Sequence, residues 1–343
     1  MKYGLIGVYS VNLFILLLAG CGFVGGGGRI SSDLRPVTYP ELPGWEQDDI
    51  KYALQAFGNT CKTSIKYTGE VIPSRGLIEA KCRNMPSTSE DNTKIRKWFE
   101  ENFQPYRIND GTKGKFTGYY SPVVRACRKK TDLCSAPIMD VPKDGRSFKG
   151  VDSTKLVSGQ VGRVIYWIDP IDLQDMGSAT LILEDNSRVK VSVATTNELP
   201  FNGIGSQLLA RGIRPPQGYG MKSVRAYLKQ NRSLANELIS KNPRYVYYTP
   251  SATDAVVGTM GVPLSQIRSI AVDKNIYTLG LPMYLDTSLS SGKKFQRLMI
   301  AQDTGGAIIG ANRADIYFGV GDEAFEYAHG QNKPGQMYVL LPK

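Results

Sequence analysis

A chain of 343 residues is long enough for two modest domains or one large one, and 41% hydrophobic residues allow a packed core and exclude general disorder. With 36 glycines and 19 tyrosines, the composition suits a β-rich protein with many turns. The formal charge of +11 admits nucleic acid, an anionic wall polymer or a membrane surface as partner, but no helix-turn-helix, zinc-finger or RNA-binding signature accompanies it, so no nucleic acid is expected.

Met1 to Cys21 reads as a targeting segment. Lys2 supplies the positive start, Leu13-Phe-Ile-Leu-Leu-Leu18 the apolar centre, and the segment closes on Leu18-Ala-Gly-Cys21. The apolar stretch is too short to span a bilayer. Its ending resembles a bacterial lipobox. Residues 1–20 would then be a lipoprotein signal peptide, Cys21 the lipidated first residue of the mature chain, and 21–35, with Gly25 to Gly28, a flexible tether. Gly22, not Asp, follows the cysteine, which favours the outer membrane over retention at the inner one. The expected location is that of an outer-membrane lipoprotein facing the periplasm of a Gram-negative bacterium. Export would put Cys61, Cys82, Cys127 and Cys134 in an oxidising compartment. Proximity favours Cys61–Cys82 and Cys127–Cys134, although four cysteines allow three pairings. Their spacing fits no common zinc site. The single histidine, His329, reads as a surface or packing residue, and no nucleophile motif points to it. No metal or cofactor is expected.

Trp45 to Ala56 reads as a helix with Asp48 and Asp49 near its positive end, Ile50, Ala53, Leu54 and Phe57 on its apolar face, and Gly58 as its stop. Ser89 to Phe103 reads as a second helix, capped by Ser89 or Asn92 and stopped by Pro105. Thr117-Gly-Tyr-Tyr-Ser-Pro122 sets tyrosines between a glycine and a proline. A tyrosine matches both the apolar face and the hydroxyl edge of a sugar ring. From Val123 to about Ile213 the pattern is of strands and turns, with Val164–Ile168, Ala179–Leu183 and Val189–Val193 the clearest strands and Glu184–Ser187 a polar turn. Lys222 to Lys241 holds a helix, or two with a break near Asn231, ended by Asn242-Pro243. Tyr245 to Tyr248 is a strand returning toward the first domain.

The chemistry gathers in Ala301 to Gly319, AQDTGGAIIGANRADIYFG. Arg297 to Ala301 reads as a buried strand and Asp303-Thr-Gly-Gly306 as a turn, since paired glycines open backbone angles closed to other residues. Ala307-Ile-Ile309 and Ala314 to Phe318 are two further apolar runs, and Asp315 interrupts the second. An ionised carboxylate inside an apolar run is costly unless paired or neutralised. Two carboxyls brought together by a folded-back chain push one pKa up, and this keeps a carboxylic acid protonated for general acid work.

The A-x-D-T-G-G-A-I-x-G block followed by R-x-D-I-Y resembles the C-terminal Asp-Asp-Asp domain of the membrane-bound lytic murein transglycosylase A family. Asp273, in Ile270-Ala-Val-Asp273, takes the place of the third aspartate. Phe116 to Pro122 and Asn242-Pro-Arg-Tyr-Val-Tyr-Tyr248 are similar to two further blocks of that family, in the same order. The likeness runs from about Arg107 to the C-terminus. It implies a mainly β fold with a few helices: a double-psi β-barrel domain, similar to barwin and some endoglucanases, plus an inserted second β-rich domain. Residues 36–116 and 246–343 would build the discontinuous barrel domain, and 117–245 the insert forming the other wall of a glycan cleft. Where the family usually shows Q-G-S-G, this chain has Met176-Gly-Ser-Ala179, and the tyrosine- and glycine-rich block that follows is weak. Substrate contacts of the second domain are therefore the least secured by the resemblance.

The resemblance implies a lytic transglycosylase acting on peptidoglycan glycan strands. Asp315 would be the catalytic acid and Asp303 its close neighbour, raising its pKa or orienting it. Thr117, Gly118, Tyr119, Tyr120, Ser178, Asp273, Gly305 and Gly306 would form the substrate-binding set. Such an enzyme protonates the MurNAc–GlcNAc bond, and the sugar's C6 hydroxyl closes a 1,6-anhydro ring. Two other readings stay open at this point: a hydrolase on the same barrel with Asp303 as base, and a non-catalytic peptidoglycan-binding lipoprotein. Membrane attachment would run through the N-terminal lipid, with other wall-remodelling proteins as further partners.

Overall fold

The computed structural model describes residues 33–64, 69–71, 76–109, 111–174, 176–251 and 255–343. The signal segment, Cys21 and the expected tether as far as residue 32 lie outside the described residues, and the tether's last residues, from Leu34, are not a tether but already belong to a strand. An N-terminal layer comes first. Strand β1 (Leu34–Pro36) pairs antiparallel with β2 (Phe103–Ile108), and between them run helices α1 (Lys51–Thr60), α2 (Gly76–Cys82) and α3 (Asn92–Asn102). The first expected helix is split. Trp45–Gln47 form one 3₁₀ turn, the chain extends at Asp48 (φ −73°, ψ 131°), and α1 continues through Gly58. The break has a tertiary cause: the Asp48 carboxylate is drawn inward to the Arg268 guanidinium, at 2.6 and 2.8 Å. Helix α3 is capped by Asp91, which accepts from the Lys94 N–H at 2.9 Å, and not by Ser89 or Asn92. Pro105 sits inside β2 and stops nothing.

Strand β3 (Gly114–Ser121) opens the barrel. The chain then builds a second sheet from β4 (Val123–Cys127), β5 (Ala136–Met139), β6 (Val164–Ile168), β7 (Ala179–Ile182), β8 (Arg188–Thr196) and β9 (Val246–Pro250), in the order β5-β6-β4-β7-β8-β9. Five helices pack with it: α4 (Ser153–Ser158), α5 (Pro170–Leu173), α6 (Ile204–Ala210), α7 (Met221–Gln230) and α8 (Arg232–Ile239). The break at Asn231 is where expected. The last elements are β10 (Ser269–Val272), β11 (Pro282–Ser288), β12 (Lys294–Thr304), β13 (Arg313–Val320), α9 (Gly321–Ala328) and β14 (Asn332–Pro342).

Strands β14, β11, β12, β10, β13 and β3 pair in that order, and β14 pairs again with β3, closing a six-stranded barrel. Two of its pairings, β10–β12 and β13–β3, are parallel. Closure removes the free edges an open sheet would leave. This is the expected double-psi β-barrel with a second β-rich domain inserted. The chain leaves the barrel between Ser121 and Val123, not at 117, because Thr117, Gly118 and Tyr119 pair with β13. It does not return at 246, since β9 pairs with β8. The barrel core gathers Phe116, Ile270, Ile300, Ile316, Phe318 and Val339 with the helices of the N-terminal layer, and separate apolar clusters serve the second sheet and its helices. Cys61 is bonded to Cys82 and Cys127 to Cys134.

Candidate active site

The two aspartates are not joined by a hairpin across Gly305-Gly306. Strand β10 lies between their strands, and Ala271 is register partner to both, to Asp303 on β12 and to Asp315 on β13. Asp315 is in turn opposite Thr117 on β3. One rung thus carries Asp303, Ala271, Asp315 and Thr117, with only a methyl group between the two carboxyls. A register shift makes this possible. Ile270 pairs with Ala301, so a regular ladder would place Gln302 opposite Ala271; a bulge places Asp303 there. Gln302 is buried instead. Its amide donates to the Ala56 carbonyl at 2.7 Å and the Thr60 hydroxyl at 3.0 Å, and accepts from Ser269 at 2.6 Å.

Asp303 is fixed by four donors. The Thr259 N–H and hydroxyl reach Oδ1 at 2.8 and 2.7 Å, its neighbour Thr304 donates its N–H to Oδ1 at 2.9 Å, and the Tyr119 hydroxyl reaches Oδ2 at 2.8 Å. Asp315 accepts from the Thr117 hydroxyl at 2.5 Å. Burial pushes the Asp315 carboxyl above the usual carboxylate range, against the lowering effects of Thr117 and the Arg313 guanidinium, and the Asp303 charge adds to the rise. Asp303 is the lesser cause of the shift, and the two carboxyls share no hydrogen bond. It is Thr117, not Asp303, that orients Asp315. Burial, and after it the Asp303 charge, pushes the Tyr119 hydroxyl well up, so it stays a donor. Tyr317 packs against Tyr119, with ring centroids 5.3 Å apart, and burial raises its hydroxyl too.

The remaining expected site residues separate. Asp273 is buried, and its two oxygens accept from the Asn275 and Gly310 N–H groups, both at 3.0 Å, tying the loop after Asp303 to β10. Gly305 and Gly306 are exposed on that loop, and neither has a positive φ; the left-handed residue is Gly310 (φ 116°). The space beside Gly306 is open. Ala307–Ile309 form no strand, and Ile309 is 73% exposed. Gly118 and Tyr120 alternate away from Thr117 and Tyr119, as strand geometry requires. A Cβ on Gly118 would lie 2.5 Å from the Phe318 ring and 3.1 Å from Ala328 Cα, and Tyr120 packs edge-on against Phe325 of α9. Both serve the α9 contact, not the carboxyl rung. Ser178 sits at the seam of the two domains, where its carbonyl accepts from Ser121 and its hydroxyl from the Val193 N–H. Thr259, Gln302 and Tyr317 were not singled out by sequence. Only Tyr317, adjoining the D-I pair, carried a local signal. His329 is exposed and stacks on Phe325. Among the described residues no group of three or more His, Cys, Asp or Glu side chains is placed to hold a metal ion.

Comparison with known proteins fits this arrangement. Residues 146–249 match the MltA specific insert domain, and 268–341 match the 3D domain, which includes Asp273, Asp303 and Asp315. The lytic transglycosylase LtgG of Burkholderia pseudomallei is 30% identical, with 91% of this chain and 96% of that one covered and a TM-score of 0.63. The chain belongs to the membrane-bound lytic murein transglycosylase A family. It is therefore an enzyme. Within the family, the protein from Vibrio cholerae is 29% identical over 255 residues, 66% of this chain and 68% of that one. The crystal structure of the membrane-bound lytic murein transglycosylase from Agrobacterium tumefaciens is 26% identical, covers 90% of this chain and 98% of its own, and gives a TM-score of 0.78.

Proposed function

We propose that this enzyme cleaves the β-1,4 bond between MurNAc and GlcNAc in peptidoglycan and leaves 1,6-anhydro-MurNAc ends, with Asp315 as its single general acid and base. The observation that carries this reading is the half-buried Asp315 carboxyl, with its raised pKa, on one rung with Asp303. Asp315 gives its proton to the glycosidic oxygen as the C1–O bond breaks. The C6 hydroxyl of the same sugar then bonds to the anomeric carbon and yields its proton to the Asp315 carboxylate, which restores the acid without water. Asp303, locked by its four donors, sets a fixed negative charge beside the oxocarbenium-like centre. Tyr119, packed against the buried Tyr317, holds Asp303 beside the acid, and the open side of Gly306 leaves room for the chain. Thr117 positions the acid.

Membrane association accords with the relatives' names, and a lipid on Cys21, in the outer membrane and facing the periplasm, is the means proposed here. Among the described residues no helix is long and apolar enough to cross a membrane. Replacing Asp315→Asn is expected to lower turnover of purified peptidoglycan by about 10²–10⁴-fold while leaving glycan binding largely intact. Mass spectrometry of wild-type products should find ends lighter by one water than hydrolysed ones. Retained turnover in the Asn variant would overturn the assignment of Asp315, and hydrolysed ends would move the reaction to water.

A further inference from the structure

The block Asn242-Pro-Arg-Tyr-Val-Tyr-Tyr248 contributes nothing to the carboxyl rung. It lies where the second sheet curls, so that its two edge strands, β5 and β9, approach each other without pairing. A tyrosine takes the place of a ladder there. The Tyr245 hydroxyl donates to the Pro137 carbonyl at 2.7 Å and accepts from the Met139 N–H at 3.2 Å. Beside this seam opens a cavity of about 410 Å³ with Val157, Leu173, Tyr245 and Tyr248 in its walls. The polar groups nearest it are mostly occupied. Tyr248 donates to the Met176 carbonyl, and the Asn242 amide donates to Gln174 and accepts from the Asn202 N–H. Arg244 is the exception: it lines the cavity half-buried, and among the described residues its guanidinium has no acceptor and no carboxylate.

An unpaired, half-buried guanidinium favours a carboxylate, which it can bind through two parallel hydrogen bonds. Apolar walls of this size accept small side chains. We infer that the cavity binds a short peptide with small side chains and a free carboxylate held by Arg244, and that the peptide is one carried by the wall glycan itself. The inference rests on the peptidoglycan reading above.

The test compares wild-type kcat/KM on peptidoglycan strands that keep their peptides and on the same strands stripped of them by an amidase. Peptide-bearing strands are expected to be preferred about ten-fold, through KM. Arg244→Gln should bring the ratio close to one. So should Ser240→Phe, which plugs the cavity mouth without removing the charge, and melting temperatures confirm that both variants fold. Equal wild-type rates on both substrates overturn the inference and leave the Asp315 chemistry standing. If neither substrate is cleaved, the parent reading fails, and calorimetry of the full chain with acetyl-Ala-Ala-Ala and its C-terminal amide decides the pocket: tighter binding of the acid, lost in Arg244→Gln, supports it, while no binding or equal binding of acid and amide overturns it.

Discussion

Asp303 accepts four hydrogen bonds and Asp315 one, although the two lie on the same rung. Burial with a single donor raises the Asp315 pKa, and this has a consequence for stability that can be read apart from activity. Between the ordinary carboxyl value and the raised one, the folded chain binds more protons than the unfolded chain, so stability falls as pH rises through that window and the penalty is complete above it. Asp315→Asn removes the penalty. Its melting temperature should exceed the wild-type value at neutral pH, and the gain should shrink to nothing below about pH 4, where the carboxyl is protonated in both states. A gain that stays constant across thermal melts from acid to neutral pH would mean that the carboxyl carries no such penalty. The same shift gives wild-type turnover an alkaline limb that reports loss of the Asp315 proton.

At the scale of the strand, the site depends on one extra residue in β12. Gln302 holds the bulge through Ala56, Thr60 and Ser269, and the bulge puts Asp303 opposite Ala271. Gln302→Ala removes three buried hydrogen bonds and leaves a cavity, at a cost of about 2–4 kcal/mol. If the bulge relaxes, Asp303 leaves the rung. Turnover measured well below the variant's melting point should then fall at least ~10-fold, chiefly in kcat. A variant that loses stability in denaturant titration yet keeps wild-type kcat would show that the bulge serves packing alone. Local pattern revealed much of the surrounding fold. The apolar Val164–Ile168 strand, the α7–α8 break at Asn231 and the D-T-G-G and D-I-Y blocks could all be read directly from neighbouring residues. The bulge could not, because it is stabilised by α1, more than 240 positions away along the chain. Nor could the alternation of β3 be assigned to a face until β13 was seen beside it. Sequence alone therefore groups Gly118 and Tyr120 with Thr117 and Tyr119.

At the scale of the whole molecule, a buried ion pair ties the N-terminal layer to the barrel beside their shared apolar core. Asp48 and Arg268 are 2% and 3% exposed at their side chains, and the pair is completed by the Leu298 N–H donating to Asp48 and by Arg268 donating to the Leu298 and Asp49 carbonyls. Asp48, which by sequence belongs to a helix start, instead joins segments 220 positions apart. Taking two charges out of water is costly, and their attraction offsets this only with such complete hydrogen bonding. Removing one partner therefore differs in kind from replacing both. Asp48→Ala should destabilise the fold by about 3–5 kcal/mol, because the Arg268 charge stays buried with its carboxylate gone. Asp48→Leu combined with Arg268→Met removes both charges and keeps apolar volume, so most of that loss should be recovered. Guanidinium titrations of the two variants separate the possibilities. A double variant as unstable as the single one would mean that the pair's hydrogen bonds to Leu298 and Asp49, more than the compensation of charge, join the layer to the barrel.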